Sequence, residues 1–278
     1  MPGLLITRLR QGKRTLEFPE PEPSLPERFR GLPVLDQSRC TSGCSACVDA
    51  CPTGAIERGA NLQIDLGRCL FCPECSNACP EGAIQFSRQY RLATTGRDDL
   101  IIKGREPLKL AGRLADDIHR ILGRSLKLRQ VSAGGCNGCE VEVNVLNTVV
   151  FDLGRFGIKF VASPRHADGL LITGPVTRNM QAALEKTYEA VPDPKIVIAV
   201  GGCAIAGGPF RDHREVLNGA NNILPVDLFV PGCPPHPVTI LDGLLRLLGK
   251  IQEPERRDAV AKASALDGTV TSAAITEN

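Results

Sequence analysis

The residues of this chain with the clearest chemical potential are its twelve cysteines, and eight of them fall into two closely spaced groups. The first group is spaced C-x3-C-x2-C-x3-C-P and the second C-x2-C-x2-C-x3-C-P, so the two groups form an internal repeat. Their members are Cys40, Cys44, Cys47 and Cys51 in the first, and Cys69, Cys72, Cys75 and Cys79 in the second. Such close spacing serves metal binding better than disulfide bridging.

The repeat is typical of a bacterial two-cluster ferredoxin. Three cysteines on one tight loop can bind three corners of a cubane, whereas the fourth, followed by proline, reaches the other cluster. One [4Fe–4S] cluster is therefore predicted on Cys40, Cys44, Cys47 and Cys79, and a second on Cys69, Cys72, Cys75 and Cys51. Zinc is the alternative, but its usual ligand spacings match the repeat poorly. The extra residue between Cys40 and Cys44 leaves normal ligation by Cys40 open.

The other four cysteines are dispersed, and each follows a predicted strand in a glycine-rich turn. They are Cys136, Cys139, Cys203 and Cys233. Because the carboxyl ends of parallel strands meet at one edge of a sheet, the four thiols are predicted to converge on a third cluster. The alternative is that some of them are ordinary buried free cysteines. Glu142 lies just after Cys139 and is either a stabilising charge near a helix start or a proton-coupling group beside the cluster.

The elements that must position these cysteines change in character along the chain. We expect an extended Pro-rich docking arm over 1–34, a two-cluster α+β domain over 35–90, and a linker over 91–124. A short amphipathic helix in the linker should carry Leu114, Ile118, Ile121 and Leu122 on one face. Residues 125–251 alternate strands with helices, which predicts a parallel sheet covered on both faces. The polar tail over 252–278 is predicted to be disordered or to lie over a partner.

Individual elements of the sheet region follow from its apolar runs and turn residues. The predicted strands are Leu126–Val131, Ile158–Ala162, Leu170–Thr173, Lys195–Val200 and Ile223–Val230, and the predicted helices are Glu140–Val150, Arg178–Ala190 and Pro237–Lys250.

Composition excludes some classes of function. Thirty-three basic residues nearly balance 31 acidic ones, which argues against a nucleic-acid partner. The apolar runs are far shorter than the roughly 20 residues that a membrane helix needs. Met1–Arg14 shows no apolar core of the kind found in an export signal. A cytoplasmic protein, soluble or peripheral to a membrane, is therefore expected.

Residues 125–250 resemble the small-subunit family that membrane-bound [NiFe] hydrogenases share with respiratory complex I. The motifs that carry the resemblance are Gly-Pro-Val-Thr-Arg-Asn-Met at 174–180, Val-Gly-Gly-Cys-Ala at 200–204 and Pro-Val-Asp-Leu-Phe-Val-Pro-Gly-Cys-Pro-Pro at 225–235. The resemblance implies a flavodoxin-like sheet whose four dispersed cysteines hold the cluster nearest the catalytic subunit. Glu142 matches a glutamate that the family keeps near this cluster.

Residues 29–100 are similar to the ferredoxin subunit of formate hydrogenlyase, including Phe29-Arg30-Gly31 and Gln89-Tyr90. The chain thus resembles a fusion of two neighbouring subunits. The complex I subunit usually has two adjacent cysteines where this chain has Cys136-Asn137-Gly138-Cys139, and the CxxC-Glu form resembles the energy-converting hydrogenase branch.

The resemblance implies a non-catalytic electron-transfer subunit of a membrane-associated [NiFe] hydrogenase of the formate-hydrogenlyase type. Three [4Fe–4S] clusters would pass electrons to a separate large subunit. Implied partners are that large subunit or a complex I-like homologue, antiporter-like membrane subunits indirectly, and a donor such as a formate dehydrogenase subunit or a ferredoxin. The expected location is the cytoplasmic face of the cell membrane. A complex I-like quinone-reducing module and a stand-alone ferredoxin fused to a binding module are the alternatives.

Overall fold

The computed structural model describes residues 2–59, 61–104 and 106–251. The tail predicted over 252–278 lies outside these residues. The chain starts with helix α1 (Pro2–Gln11), inside the segment predicted to be an extended arm. Proline is well tolerated in the first turn of a helix, and Gly12, with φ +61°, follows the last turn. Residues 12–32, which contain four prolines, form neither helix nor strand.

The cysteine repeat folds into two short helices and two small antiparallel sheets. In chain order its elements are β1 (Pro33–Leu35), α2 (Ala46–Asp49), β2 (Ile56–Arg58), β3 (Leu62–Asp65), α3 (Glu74–Ala78), β4 (Ile84–Phe86) and β5 (Ile101–Lys103). Strand β1 pairs with β4, and β3 pairs with both β2 and β5. Since β5 comes from the segment predicted to be a linker, that segment completes the sheet of the repeat.

The rest of the linker lies against the second half of the chain. Thr94 exchanges backbone hydrogen bonds with Phe229, at 3.0 and 2.8 Å. Helix α4 (Asp116–Leu122) buries Leu122 and partly buries Ile118, but Ile121 is 60% exposed. The prediction of one apolar face through Ile121 is therefore wrong. The helix begins only at Asp116, and its buried edge runs through the pair Ile118 and Leu122, one turn apart.

The second half of the chain forms a five-stranded parallel sheet with helices around it. Its elements are β6 (Leu126–Ser132), α5 (Gly138–Val145), β7 (Ile158–Phe160), β8 (Gly169–Thr173), α6 (Arg178–Glu189), β9 (Ile196–Val200), α7 (Gly202–Ala206), β10 (Leu228–Val230) and α8 (Pro237–Leu247). The strand order is β7-β6-β8-β9-β10, all parallel. This is the 2-1-3-4-5 order of flavodoxin-like sheets, so the predicted fold class is confirmed.

Two predicted elements are shorter than expected. The helix predicted over Glu140–Val150 ends at Val145, and the β-branched run Thr148-Val149-Val150 follows it. The strand predicted over Ile223–Val230 is regular only from Leu228, because Pro225 lacks an amide and Asp227 uses its carboxylate to accept from the Val197 amide at 2.8 Å.

The apolar core is continuous between the two halves. One cluster of buried side chains joins Leu35 and Ile84 of the repeat to Ala199, Ile205 and Phe229 of the sheet region. The cysteine repeat is therefore packed directly against the carboxyl edge of the parallel sheet. Among the described residues, no helix combines the length and the apolar character that crossing a bilayer requires.

Candidate metal centres

The eight cysteines of the repeat line two cavities. The first cavity is lined by Cys40, Cys44, Cys47 and Cys79, and the second cavity by Cys51, Cys69, Cys72 and Cys75. Each cavity thus takes three cysteines from one copy of the repeat and the last cysteine from the other. The extra residue in the first loop does not displace Cys40 from the lining.

Backbone amides point at the sulfur atoms in equivalent places of the two copies. The Ala55 amide donates to Cys51 Sγ at 3.2 Å, and the Ala83 amide donates to Cys79 Sγ at the same distance. Before each amide lies a glycine with positive φ, at +58° and +59°, a conformation that suits glycine. In the second cavity the Phe71 amide also donates to Cys69 Sγ, at 3.3 Å. These amide dipoles stabilise negative charge on the sulfurs.

The thiols of the repeat are buried and crowded. Burial raises the pKa of Cys69 to about 12 and that of Cys75 to about 11, and the neighbouring thiols raise both further. The pKa of Cys47 is also raised, first by burial and then by Cys79. With pKa values raised in this way, the thiols would stay protonated and neutral at neutral pH without a metal, whereas coordination to a metal deprotonates them. The donor set therefore fits a cationic, thiolate-binding group.

The four dispersed cysteines come together at the carboxyl edge of the parallel sheet, as a set that we call the sheet-edge cysteines. Cys136 and Cys139 follow β6, Cys203 follows β9, and Cys233 follows β10. Burial raises the pKa of Cys139, and the Cys203, Cys233 and Cys136 thiols raise it further. Burial raises the pKa of Cys203 to about 12, with the Cys233 and Cys136 thiols adding to the effect. Cys136 and Cys233 are exposed at the surface.

Glycines leave room for these sulfur atoms. A Cβ on Gly201 would lie 2.4 Å from Cys139 Sγ, and a Cβ on Gly208 would lie 2.6 Å from Cys203 Sγ. Both glycines also have positive φ, at +93° and +55°. Any other residue at either position would collide with a cysteine, so these turns are shaped around the sulfurs. Within the described ranges, no group of three His, Cys, Asp or Glu side chains is arranged to hold a single metal ion.

The carboxylate that is hydrogen-bonded beside the sheet-edge cysteines is Glu140, to which the sequence analysis gave no role beyond its place in the CxxC-Glu motif. Its Oε1 accepts from Ser132 Oγ at 2.5 Å and from Thr173 Oγ1 at 2.7 Å. Burial opposes ionisation, but these donors lower its pKa overall. Its position in the first turn of the helix, directly after Cys139, was the available signal. The Glu142 carboxylate has no hydrogen bond or ion pair to another described residue, and burial raises its pKa.

His236 follows the sheet-edge set by three residues and is part of the framework. Its Nδ1 accepts from the Val238 amide at 3.2 Å, at the start of α8. Its ring meets Phe29 edge-on, with ring centres 5.6 Å apart. His236 thus acts as a packing and hydrogen-bonding residue.

The three cysteine sets form a row. Cys47 of the first cavity is close enough to Cys75 of the second to raise its pKa, and Cys72 of the second cavity affects Cys233 in the same way. The backbones are also in contact, since a Cβ on Gly202 would lie 3.4 Å from the Gly67 carbonyl oxygen. The second cavity therefore adjoins both the sheet-edge cysteines and the first cavity.

An ion pair between Arg97 and Asp65 lies where the loop before Cys69 meets the sheet region. Arg97 donates to both carboxylate oxygens of Asp65, at 2.8 and 2.7 Å, and the Gly67 amide donates to Asp65 Oδ1 at 2.9 Å. A Cβ on Gly67 would lie 2.7 Å from Ile205 Cγ2 and 2.8 Å from Arg97 Cζ. The loop before Cys69 and helix α7, which carries Cys203, thus pack so closely that a side chain at Gly67 would collide with Ile205.

Comparison with known proteins matches the two halves to two family models. Residues 136–247 match "NADH ubiquinone oxidoreductase, 20 Kd subunit", and residues 39–83 match "4Fe-4S dicluster domain". The chain therefore binds 4Fe–4S clusters, and the resemblance carried by its motifs is confirmed.

Curated relatives agree with these models. The chain is 44% identical to the probable membrane-bound hydrogenase subunit mbhJ of Pyrococcus furiosus, over 52% of this chain and 87% of the relative. It is 47% identical to formate hydrogenlyase subunit 7 of Escherichia coli, over 47% of this chain and 51% of the relative. It is 44% identical to a subunit of the NADH-quinone oxidoreductase of Heliobacterium modesticaldum, over 45% of this chain and 71% of the relative. The chain thus spans only about half the length of the formate hydrogenlyase subunit.

These relatives are subunits of oxidoreductases, either hydrogenases or NADH-quinone oxidoreductases. With the matching parallel sheet and the cysteine repeat on one polypeptide, the chain belongs to the family of the 20 kDa subunit of NADH–ubiquinone oxidoreductase and the small subunit of membrane-bound hydrogenases, and it carries a 4Fe–4S dicluster domain ahead of that subunit.

Proposed function

We propose that this chain relays electrons through three [4Fe–4S] clusters to the catalytic large subunit of a membrane-associated [NiFe] hydrogenase of the formate-hydrogenlyase type. The observation that carries the proposal is the set of three neighbouring four-cysteine groups, in which the second cavity adjoins both the first cavity and the sheet-edge cysteines. Electrons would enter at the repeat and leave from the sheet-edge cysteines.

The residues present fit the clusters that this proposal requires. Each set offers four thiols, as a [4Fe–4S] cluster needs, and each cavity of the repeat has an amide aimed at the sulfur of its crossing cysteine. The clusters supply one-electron chemistry when bound. The chain holds them in order, and the partly buried Asp65–Arg97 pair supports the loop before Cys69 that packs against the sheet region.

The large subunit is proposed to cover the sheet-edge cysteines. Cys136 and Cys233 are exposed, and so are two large apolar side chains nearby, Val141 at 56% and Phe210 at 47%. Val141 lies two residues after Cys139, and Phe210 two residues after Gly208, which touches Cys203. Exposed apolar groups beside a redox centre favour an interface with another protein.

The other partners follow from the row. The first cavity is the end farthest from the sheet edge, so a donor such as a formate dehydrogenase subunit or a ferredoxin would approach there. Antiporter-like membrane subunits would be met indirectly, through the complex. The proposed location is the inner face of the cell membrane.

A complex I-like module that reduces quinone is the second candidate. It is favoured by the 44% identity to a subunit of an NADH-quinone oxidoreductase. The two-residue spacer between Cys136 and Cys139 supports the hydrogenase instead, because the complex I subunit usually has adjacent cysteines at this place.

Anaerobic co-purification with the neighbouring large subunit tests the proposal. Three clusters require about 12 iron atoms and as many sulfides per chain. A relay to a hydrogenase predicts nickel in the large subunit and H2 production from a reduced low-potential donor. A value near eight irons would remove the third cluster, zinc in place of iron would remove all three, and quinone reduction without H2 would establish the second candidate.

Exposure of the sheet-edge set allows a second test. In air, the isolated chain should lose about four of its 12 irons before the rest, because two of these cysteines are exposed whereas those of the repeat are buried or partly buried. The large subunit should protect that cluster. Equal loss with and without the large subunit would contradict the proposed interface.

A further inference from the structure

Helix α1 is exposed over nearly its whole surface. Every residue from Gly3 to Gln11 is exposed. Its large apolar side chains are Leu4 at 76%, Leu5 at 68%, Ile6 at 48% and Leu9 at 81% exposure. A ten-residue helix is marginal in water without a surface to pack on. This helix therefore lacks its partner within the described part of the chain.

Basic residues border the apolar side of the helix. At 100° per residue, Leu5, Leu9 and Ile6 share one side, and Arg8 and Arg10 stand at its two edges. Lys13 and Arg14 follow, and no acidic residue occurs from 2 to 14. Leucine and isoleucine on one side with arginine at the edges is the pattern of helices that lie in a membrane interface.

The first acidic residue beyond this segment neutralises little of its charge. Lys13 Nζ lies 3.8 Å from Glu17 Oε1, but both side chains are mostly exposed. Exposed ion pairs of this kind contribute little free energy of interaction. The segment therefore keeps a positive charge next to its exposed apolar side.

The helix is tied to the sheet region shortly after it ends. The Leu16 amide donates to the Val150 carbonyl at 2.7 Å, and Arg155 donates to the Leu16 carbonyl at 2.6 Å. Val149 and Val150 are themselves exposed, at 67% and 44%. Exposed apolar groups thus occur both on α1 and where the chain joins the domain, and the short segment between them would hold the domain near a surface to which α1 is anchored.

We propose that α1 docks this chain on an anionic lipid bilayer, with Leu5, Ile6 and Leu9 in the interfacial layer and the arginines against the phosphates. The inference rests on the proposed membrane association and deepens it. A second copy of the chain is disfavoured, because its own α1 carries the same positive charge. A purely apolar protein surface would leave the basic edges without counter-charge, whereas lipid phosphates supply it.

Vesicle binding by the full chain, purified anaerobically with its clusters, tests this docking. Vesicles of phosphatidylcholine mixed with phosphatidylglycerol should bind the chain, and phosphatidylcholine alone should bind it much less. Binding should weaken as salt is added. The double variant Leu5→Asp/Leu9→Asp should lose binding on the order of 100-fold or more, since two leucines no longer enter the interface.

A second double variant separates the contribution of the basic side chains to vesicle binding from that of the apolar ones. Arg8→Gln/Arg10→Gln should weaken binding to the anionic vesicles about 25-fold, at about fivefold for each charge. Ile121→Asp is the matched control, because it places the same aspartate at a side chain that is 60% exposed on α4, and it should bind like the unchanged chain.

Fluorescence gives an independent readout, because the chain has no tryptophan. Leu9→Trp should shift its emission to shorter wavelength on anionic vesicles and not on phosphatidylcholine alone. Failure of the unchanged chain to bind anionic vesicles, or full binding by Leu5→Asp/Leu9→Asp, would overturn the proposal. In the first case another protein would be the partner of α1.

Iron content, measured on the same samples, separates this inference from the relay. A chain with about 12 irons that binds no vesicles contradicts only the docking helix. A chain that binds vesicles but holds no iron contradicts only the relay.

Discussion

Replacing Gly201 by alanine should remove the third cluster and leave the other two in place. The added Cβ would lie 2.4 Å from Cys139 Sγ, whereas ordinary van der Waals contacts begin at 3.4 Å. The sulfur or the turn must therefore move by about 1 Å, and ligands of a metal site must be held within roughly 0.5 Å of their working geometry. A displacement of this size is enough to break ligation by Cys139.

The backbone adds a cost of its own. Gly201 has φ +93° and ψ 152°, a region that is essentially reserved for glycine. Alanine there costs about 1–3 kcal/mol. A domain of ordinary stability, about 5–15 kcal/mol, survives that loss. Gly201→Ala should therefore fold and lose iron at one site only.

Iron and sulfide assays with EPR spectroscopy, all under anaerobic conditions, measure the outcome. Gly201→Ala should fall from about 12 to about eight irons per chain, with the EPR signals of the two repeat clusters kept. Gly43→Ala is the control, since Gly43 also has positive φ, at +80°, but has nothing within 4 Å of the added Cβ. Gly201→Ala with about 12 irons and an unchanged spectrum would refute the idea that this turn is shaped around a cluster ligand.

Three further changes test other parts of the molecule. Cys51→Ser should perturb the EPR signal of the cluster in the second cavity and spare that of the first, and the reverse pattern would show that each copy of the repeat is self-contained. Leu114→Asp/Ile118→Asp should slow donor-driven H2 production, because these side chains pack the linker on the sheet region. Dye-driven H2 production by the large subunit and the iron content should stay unchanged. A donor-driven rate equal to that of the unchanged chain would show that the linker is only a tether. Arg246→Ala should lower the free energy of unfolding by about 3–5 kcal/mol in anaerobic urea titration, because it leaves the buried Asp242 without its ion-pair partner. Adding Asp242→Leu should restore much of that loss, and no recovery would contradict the charge argument.

Local spacing in the sequence determined the site to a large extent. The spacing of the two copies of the repeat predicts eight clustered thiols. The proline after Cys51 and after Cys79 predicts that each of these cysteines joins the cluster of the other copy. The glycine-rich turns after predicted strands located the other four cysteines at one sheet edge, which the observed strand order brings together. These predictions could be made from the sequence because cysteine spacing and strand-end turns are local features, encoded within a few residues.

Contacts between distant segments were decided only by the tertiary structure. Strand β5 lies in the segment predicted to be a linker, yet it completes the sheet of the repeat through β3. Glu140 rather than Glu142 is bonded beside the cysteines, because Thr173 arrives from the neighbouring strand. The position of Glu140 directly after Cys139 was a weak local signal, but both facts depend on which strands become neighbours.

The same reason explains the linker helix and the junction between clusters. Periodicity grouped Ile121 with Ile118 and Leu122, but the packing surface is wide enough only for the other two. Gly67 and Gly202 carry no distinctive signal in the sequence, and their role emerges only where two loops far apart in the chain meet backbone to backbone. The sequence alone determined which residues could hold clusters, and the packing of one half on the other decided how closely the cluster sites lie.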